Sequence, residues 1–372
     1  MKVLILSCNT GGGHNACAKA VQQSFLSHGD TCDIDDSLRF GSGKVSKFMS
    51  WGHTTMYRHI PGLFRFGYGY AENHQKLLQE DKAAYKLLTS GTEELYQLLQ
   101  EKEYDAVICT HVFSGLLMGE MQRQHPMMLK TAFVATDYTC SPGTAKSDLD
   151  IYFIPSALLT EEYETLGVPS FKQIASGIPV RKEFYTCGDK QQAKRQFGVD
   201  PEHFHIMMMC GSMGCGPMEE LTKALYEAMD GKSELSVVCG TNEKLFERLS
   251  KIYAKVPNIH IHGFVKDISA LMDSTDLYLT KPGGLSTSEA AAKRLPMVLI
   301  DAVAGCEAHN MEFFLRCGGA VTAPDTDSLI QLCAELSKTP EKIEEMRSAL
   351  TAQFPGKAAD VICDKLHKEI KE

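Results

Sequence analysis

The chain has 372 residues, 44% of them hydrophobic, and a formal net charge of −9. That length holds two ordinary domains, each with its own core, and that charge excludes duplex nucleic acid as the main partner, because duplex binding needs a basic face. Thirteen cysteines stand without a CxxC pair or a Cys/His ligand cluster by spacing, which predicts buried free thiols in a reducing compartment rather than disulfides or a zinc site.

Lys2–Ser7 is a short apolar run that predicts a buried parallel strand. It is too short for a signal segment, and no stretch nears the roughly 20 apolar residues that span a bilayer. The chain is therefore expected in the cytoplasm, free or held on the inner face of the cell membrane. Asn9-Thr10-Gly11-Gly12-Gly13-His14 follows as a glycine-rich loop, and residues 14–28 read as a helix. A strand-to-helix turn offers unpaired N–H groups and a partial positive charge, so it can hold phosphate or developing negative charge. At that helix end His14 is favoured as a neutral imidazole, suited to act as general base toward a hydroxyl; a plain helix cap is the alternative. Gly11-x-Gly13-x-x-Ala16 also fits a dinucleotide fingerprint, with Asp33 or Asp35 where a ribose acid is expected.

From Ser37 to Ala71 there is no Asp or Glu. The window holds Arg39, Lys44, Lys47, Arg58 and Arg65 among Phe48, Trp51, Tyr57, Phe64, Phe66, Tyr68 and Tyr70. Cations mixed with aromatics suit an interface with anionic lipid; an active-site lid is the other reading. Residues 72–102 read as one long amphipathic helix. Strands are predicted at 105–109, 130–134 and 150–154, and Gly177-Ile178-Pro179-Val180 closes a first domain over 1–180. The polar stretch 181–202 reads as a linker.

The rhythm restarts in a second domain over 203–338, with strands at 205–210, 235–240, 259–265, 277–280 and 296–300. Gly211-Ser212-Met213-Gly214 is the first exit loop. Lys281-Pro282-Gly283-Gly284-Leu285-Ser286 is a second glycine-rich strand-to-helix loop, with Glu289 beyond it. Ser212, the N–H groups near Gly214, Ser286 and Thr287 could share a diphosphate, while Glu289 could accept from ribose hydroxyls or merely complement the helix dipole. Glu307 and Asn310 follow the next strand and could hold a sugar or cap a helix. Residues 339–372 are charged and helical, and are expected to pack back across the domains. Repeated β-α units predict an α/β protein of two Rossmann-like domains facing across a cleft, with parallel sheets. No acidic pair of the kind that holds a metal lies beside the second glycine loop; Asp33-Ile34-Asp35 has that spacing but lies in the first half. No metal and no cofactor are expected.

At Gly11-Gly12-Gly13-His14, Ala135-Thr136-Asp137-Tyr138, Gly177-Ile178-Pro179-Val180, Gly211-Ser212-Met213-Gly214, residues 280–289 and Gly305-Cys306-Glu307-Ala308-His309-Asn310, the chain resembles the lipid glycosyltransferases that include monogalactosyldiacylglycerol synthase and the processive diacylglycerol glucosyltransferases. The resemblance runs over nearly the whole chain and implies the GT-B fold. It implies a UDP-hexose donor (galactose or glucose), a lipid hydroxyl as acceptor, and inverting transfer. It implies that His14 is the catalytic base with Asp137 close by. Gly13, Gly211, Ser212, Gly214, Phe264, Val265, Gly284, Leu285, Ser286 and Glu289 would contact UDP, and Glu307 and Asn310 the sugar. Lys44, Lys47, Trp51, Tyr57, Arg58, Phe64, Arg65 and Phe66 would meet the membrane and acceptor. The family has Gln where Cys306 stands, and a His and a Trp near the place of Thr139–Gly143, so neither sugar nor acceptor is fixed by the residues. An NAD-dependent oxidoreductase, a cytosolic UDP-sugar epimerase and a non-catalytic lipid or nucleotide sensor are the alternatives.

Overall fold

The computed structural model describes residues 1–9, 12–40, 82–300, 305–354 and 356–371. The chain divides into two compact units, Met1–Lys182 with Val303–His309 and Gly356–Glu372, and Glu183–Ala302 with Asn310–Pro355.

In the first unit the strands are β1 (Lys2–Ser7), β2 (Thr31–Asp36), β3 (Ala106–Cys109), β4 (Lys130–Val134), β5 (Ile151–Ile154) and β6 (Gln173–Ala175), in sheet order β2-β1-β3-β4-β5-β6. Every pairing is parallel. Val3, Leu4, Ile5 and Leu6 are buried, as are Val107, Ile108 and Phe153, so the central strands read as unbroken apolar runs. The edge strands β2 and β6 are polar and were not visible as apolar runs; in β2 only Cys32 is buried. Helix α1 (Gly12–Ser27) packs Cys17, Ala18, Val21 and Phe25 inward. It ends in a Schellman turn: Gly29, at φ +83°, donates to Leu26 O (3.1 Å) and Asp30 to Phe25 O (3.1 Å). The long helix expected over 72–102 is instead two within the described residues, α2 (Ala83–Leu88) and α3 (Thr92–Lys102). Ser90 and Gly91 break it, being weak helix formers. Helix α4 (Val112–Gln124) follows β3, and α5 (Thr160–Thr165) follows β5.

In the second unit α6 (Lys190–Gln196) precedes β7 (Phe204–Met209), α7 (Met218–Ala228), β8 (Ser233–Val238), α8 (Glu243–Ile252), β9 (Ile259–His262), α9 (Ile268–Asp273), β10 (Leu277–Thr280), α10 (Gly284–Ala292), β11 (Met297–Leu299), α11 (Cys306–Arg316, which begins in the first unit's residues), β12 (Ala320–Val321), α12 (Thr326–Leu336) and α13 (Pro340–Gln353). The sheet order is β12-β11-β10-β7-β8-β9, again all parallel. Its core joins Met208, Leu235, Val237, Leu277, Leu279 and Val298 to Leu329 and Met346 from the helices. Residues 181–202, read from their polarity as a linker, thus contain a helix. Asp189 caps it by accepting from Gln192 N–H (2.7 Å), and its Lys190 and Lys194 pair with Asp276. Those charges are partnered rather than solvated, which the composition alone could not show. The last helix, α14 (Ala358–Lys371), returns to the first unit and lies on α1.

Candidate active site

In an open parallel sheet, ligands bind beyond the carboxyl ends of the strands where the order reverses. In the first unit that point lies between β1 and β3. In the second it lies between β7 and β10. Both glycine-rich loops leave strands at these points.

In the first unit the loop after β1 opens α1, and half-buried His14 is its third residue. Its Nδ1 lies 2.9 Å from the carbonyl oxygen of Thr110, which directly follows β3, and 3.0 Å from Thr136 Oγ1, which follows β4. His111 stacks edge-on against the His14 ring at 4.5 Å between centroids. The His111 ring is itself fixed, because its Nδ1 accepts from Phe113 N–H (3.0 Å) and caps α4. Thr110, His111 and Thr136 are contributions that sequence reasoning missed; their only signal was position just past an apolar strand.

Asp137 is half-buried and next in the chain to the threonine that touches His14. Burial pushes the Cys306 thiol well up, and the carboxylates of Asp137 and Glu307 push it further. The first unit thus brings the predicted Asp137 and Glu307 around Cys306, and their charge disfavours its thiolate. The altered segment Thr139-Cys140 is pinned by Glu162, which accepts from Thr139 Oγ1 (2.6 Å) and Cys140 N–H (2.7 Å).

In the second unit the loop after β7 is bolted to the loop after β8. Thr241 donates N–H to Ser212 O (2.9 Å), and Asn242 Nδ2 donates to Gly214 O (3.1 Å). The two backbones touch: a Cβ on Gly214 would run into Cys239 O, and one on Gly240 into Ser212 O. Ser212 is exposed on this loop and Gly211 half-exposed. Thr241 and Asn242 were not foreseen.

After β10, α10 starts at Gly284 with Gly283 as its cap, and no side chain caps it. Its first intrahelical bond is Thr287 N–H to Gly283 O (3.1 Å). The N–H groups of Gly284, Leu285 and Ser286 are therefore those a helix start leaves to a ligand. The Ser286 hydroxyl donates to Gly283 O (3.1 Å) and that of Thr287 to the same oxygen (2.9 Å). A diphosphate would meet backbone N–H groups here rather than these hydroxyl protons. Glu289 is half-buried in the second turn of α10, near the Tyr278 phenol. Asn310 is fully buried and its Nδ2 donates to Pro282 O (2.9 Å), so it shapes the loop from beneath. Strand β9 ends at His262 rather than at Val265, leaving Phe264 71% exposed, a bare aromatic at the carboxyl edge of the sheet, with Val265 half-exposed beside it. Gly13 lies in the first turn of α1, in the first unit.

Lys44, Lys47, Trp51, Tyr57, Arg58, Phe64, Arg65 and Phe66 lie outside the described residues. Among the described residues no helix is long and apolar enough to cross a membrane.

Residues 14–180 match the family model of monogalactosyldiacylglycerol (MGDG) synthase, and residues 205–362 match that of the glycosyltransferase family 28 C-terminal domain. A processive diacylglycerol beta-glucosyltransferase of Bacillus cereus is 27% identical over 374 aligned residues, 99% of this chain and 94% of that protein. The Bacillus anthracis protein of that name is 26% identical over the same shares. Among solved structures, Acinetobacter baumannii MurG superposes with a TM-score of 0.65 at 14% identity, covering 99% of each chain. Staphylococcus aureus MnaA, solved with UDP, gives 0.67 at 14% identity over 100% of this chain and 97% of that one. These structural likenesses carry the fold alone, two Rossmann-like domains of the GT-B kind, while the two family models and the full-length relatives go further. The chain belongs to the lipid glycosyltransferases of the monogalactosyldiacylglycerol synthase and processive diacylglycerol glucosyltransferase family, with a family 28 domain as its second half.

Proposed function

We propose that the protein transfers a hexose, glucose or galactose, from a UDP-sugar to the hydroxyl of a diacylglycerol-type membrane lipid, with inversion at the anomeric carbon and without a metal ion. The observation that carries this reading is the anchoring of His14. Thr110 O can only accept, so the His14 Nδ1 bears the hydrogen and the neutral ring keeps its lone pair on Nε2. Nε2 takes the acceptor hydroxyl proton as that oxygen bonds to the anomeric carbon. The bond from that carbon to the diphosphate breaks, and UDP leaves with the electron pair. The N–H groups at the start of α10 meet the charge that develops on the leaving diphosphate, the task a metal performs elsewhere. Glu289 receives the ribose, and the exposed Phe264 with Val265 the uracil. Glu307 faces the sugar, and Asn310 acts on it by fixing Pro282. The basic aromatic stretch supplies peripheral attachment to the inner face of the cell membrane, possible without a spanning helix.

The fold is shared with UDP-sugar epimerases, so fold does not choose between the two activities. The match of residues 14–180 to a lipid-galactosyl transferase model and the basic aromatic stretch, for which an epimerase has no use, favour the transferase. Calorimetric titration of the protein with UDP, UDP-glucose, UDP-galactose and NADH, with no added metal, tests the reading. Binding of a UDP species that is weakened in Glu289→Ala is expected; binding of NADH alone would overturn it.

A further inference from the structure

At the far end of α1 from His14, the chain brings together groups that the transfer reaction does not use. The Schellman turn at Gly29 projects Asp30 toward α14, where Cys363 and His367 lie one helical turn apart on the same face. Ligand atoms of Asp30, Cys363 and His367 all lie within 4.8 Å of one another. The Asp30 side chain is only 6% exposed. Its Oδ1 accepts from the Met1 ammonium at 3.0 Å and lies 3.2 Å from His367 Nε2, whereas its Oδ2 is buried and accepts no hydrogen bond among the described residues. That orphan oxygen lies 3.0 Å from His367 Nε2.

The His367 ring explains what the oxygen faces. Its Nδ1 lies 3.0 Å from the Cys363 carbonyl, which only accepts, so Nδ1 carries the hydrogen. In the neutral ring the lone pair then sits on Nε2 and points at a carboxylate. Two lone pairs there repel unless a proton or a metal cation lies between them. A histidine that donates one N–H to a backbone carbonyl and turns the other nitrogen toward a carboxylate has the arrangement of a metal ligand with its orienting partner in place. Cys363 Sγ lies 3.5 Å from His367 Nδ1 and 3.6 Å from His28 Nδ1. His28 Nδ1 gives its one hydrogen to Ser24 O (2.8 Å) and so meets the sulfur by contact alone, while burial, with the Asp30 carboxylate, pushes the Cys363 thiol up to about 12 in the absence of a cation.

We propose that Asp30, Cys363 and His367 bind a borderline-soft divalent cation of the zinc type, which clips α14 to the end of α1. The donor set of carboxylate, thiolate and imidazole suits zinc rather than calcium or magnesium. Zinc bonds of about 2.0–2.3 Å place ligand atoms roughly 3.3–3.8 Å apart in a tetrahedron, so a cluster whose ligand atoms lie within 4.8 Å of one another closes with side-chain shifts of up to about 1 Å. On binding, the Cys363 thiol releases its proton to solvent and the cation takes the thiolate. The cation has no part in sugar transfer, and a fourth position is left for water.

The test is titration of the full chain with Co²⁺, read by absorption. The expected result is one equivalent bound with a thiolate-to-cobalt charge-transfer band, erased by Zn²⁺. The band is lost in Cys363→Ser, and affinity falls tenfold or more in His367→Gln and in Asp30→Asn. The exposed thiol Cys187 provides the control, since Cys187→Ser keeps the band. Absence of a band in the parent chain, or a band that survives Cys363→Ser, overturns the site in favour of a plain Asp30–His367 ion pair. Should Cys363→Ser fail to fold, His367→Gln with an unchanged far-ultraviolet circular dichroism spectrum decides, because unaltered cobalt affinity there also overturns the site.

Discussion

The His14 Nδ1 lies 2.9 Å from the carbonyl oxygen of Thr110, and that contact assigns the basic nitrogen of the ring to Nε2. Removing the ring should spare the proposed UDP-binding loops, which lie in the second unit. His14→Ala is expected to bind UDP with unchanged affinity in calorimetry and to turn over about 10²-fold or more slowly. Near-normal turnover would shift the base to Asp137.

The loops after β7 and β8 touch backbone to backbone at Gly214 and Gly240. Both residues have positive φ, +56° and +57°. Gly214→Ala and Gly240→Ala should each cost about 1–3 kcal/mol of stability, read by urea unfolding. Each should also weaken UDP binding, because the phosphate-facing loop must move. Wild-type UDP affinity in both variants would remove this loop from the donor site.

Asn310 reaches the donor loop through Pro282. Asn310→Ala leaves a buried carbonyl without its donor, at a cost of about 1–3 kcal/mol. If Asn310 acts by shaping the loop, KM for the UDP-sugar should rise more than kcat falls. A fall in kcat at unchanged KM would instead favour direct contact with the reacting sugar.

Burial holds the His205 pKa down at about 4. The ring is neutral in the fold, donating from Nδ1 to Ser274 O (3.0 Å) and accepting at Nε2 from Ser236 Oγ (2.8 Å). Unfolded, it protonates near 6.5, so the unfolded chain binds more protons and stability drops as pH falls from about 6.5 toward 4. From pH 7 to pH 5 the second unit should lose about 2 kcal/mol from this group, and His262, held down to about 4 chiefly by burial, adds in the same direction. Urea midpoints measured across that range should fall with pH, and less steeply in His205→Asn; equal slopes would contradict the assignment.

For the basic aromatic stretch, replacing Lys44, Lys47, Arg58 and Arg65 together by Gln should cut partition onto vesicles rich in anionic lipid at least tenfold, at about 1 kcal/mol per charge. Parent binding should weaken with added salt. Unchanged partition would place membrane contact elsewhere.

The central strands, both glycine loops and the family follow from short stretches of sequence. Runs such as Val3–Leu6 and Leu277–Thr280 report burial on both faces of a parallel sheet, which is a local property. The turns that carry His14 and Glu289 were legible because a strand-to-helix turn has local chemistry. What depends on residues distant in the chain emerges with the three-dimensional fold. The polar edge strand β2 exists because β1 offers it a partner. Lys190 and Lys194 read as linker until Asp276 stands against them. Thr110 and Thr136 orient His14 across 96 and 122 residues, and Asn310 steadies Pro282 across 28. Cys363 and His367 showed no ligand spacing, because Asp30, their third partner, lies more than 330 residues away. Apolar periodicity records how much of each residue is buried; it does not record which side chain it is buried against, and that choice set the tautomer of His14 and the shape of the loop after β10.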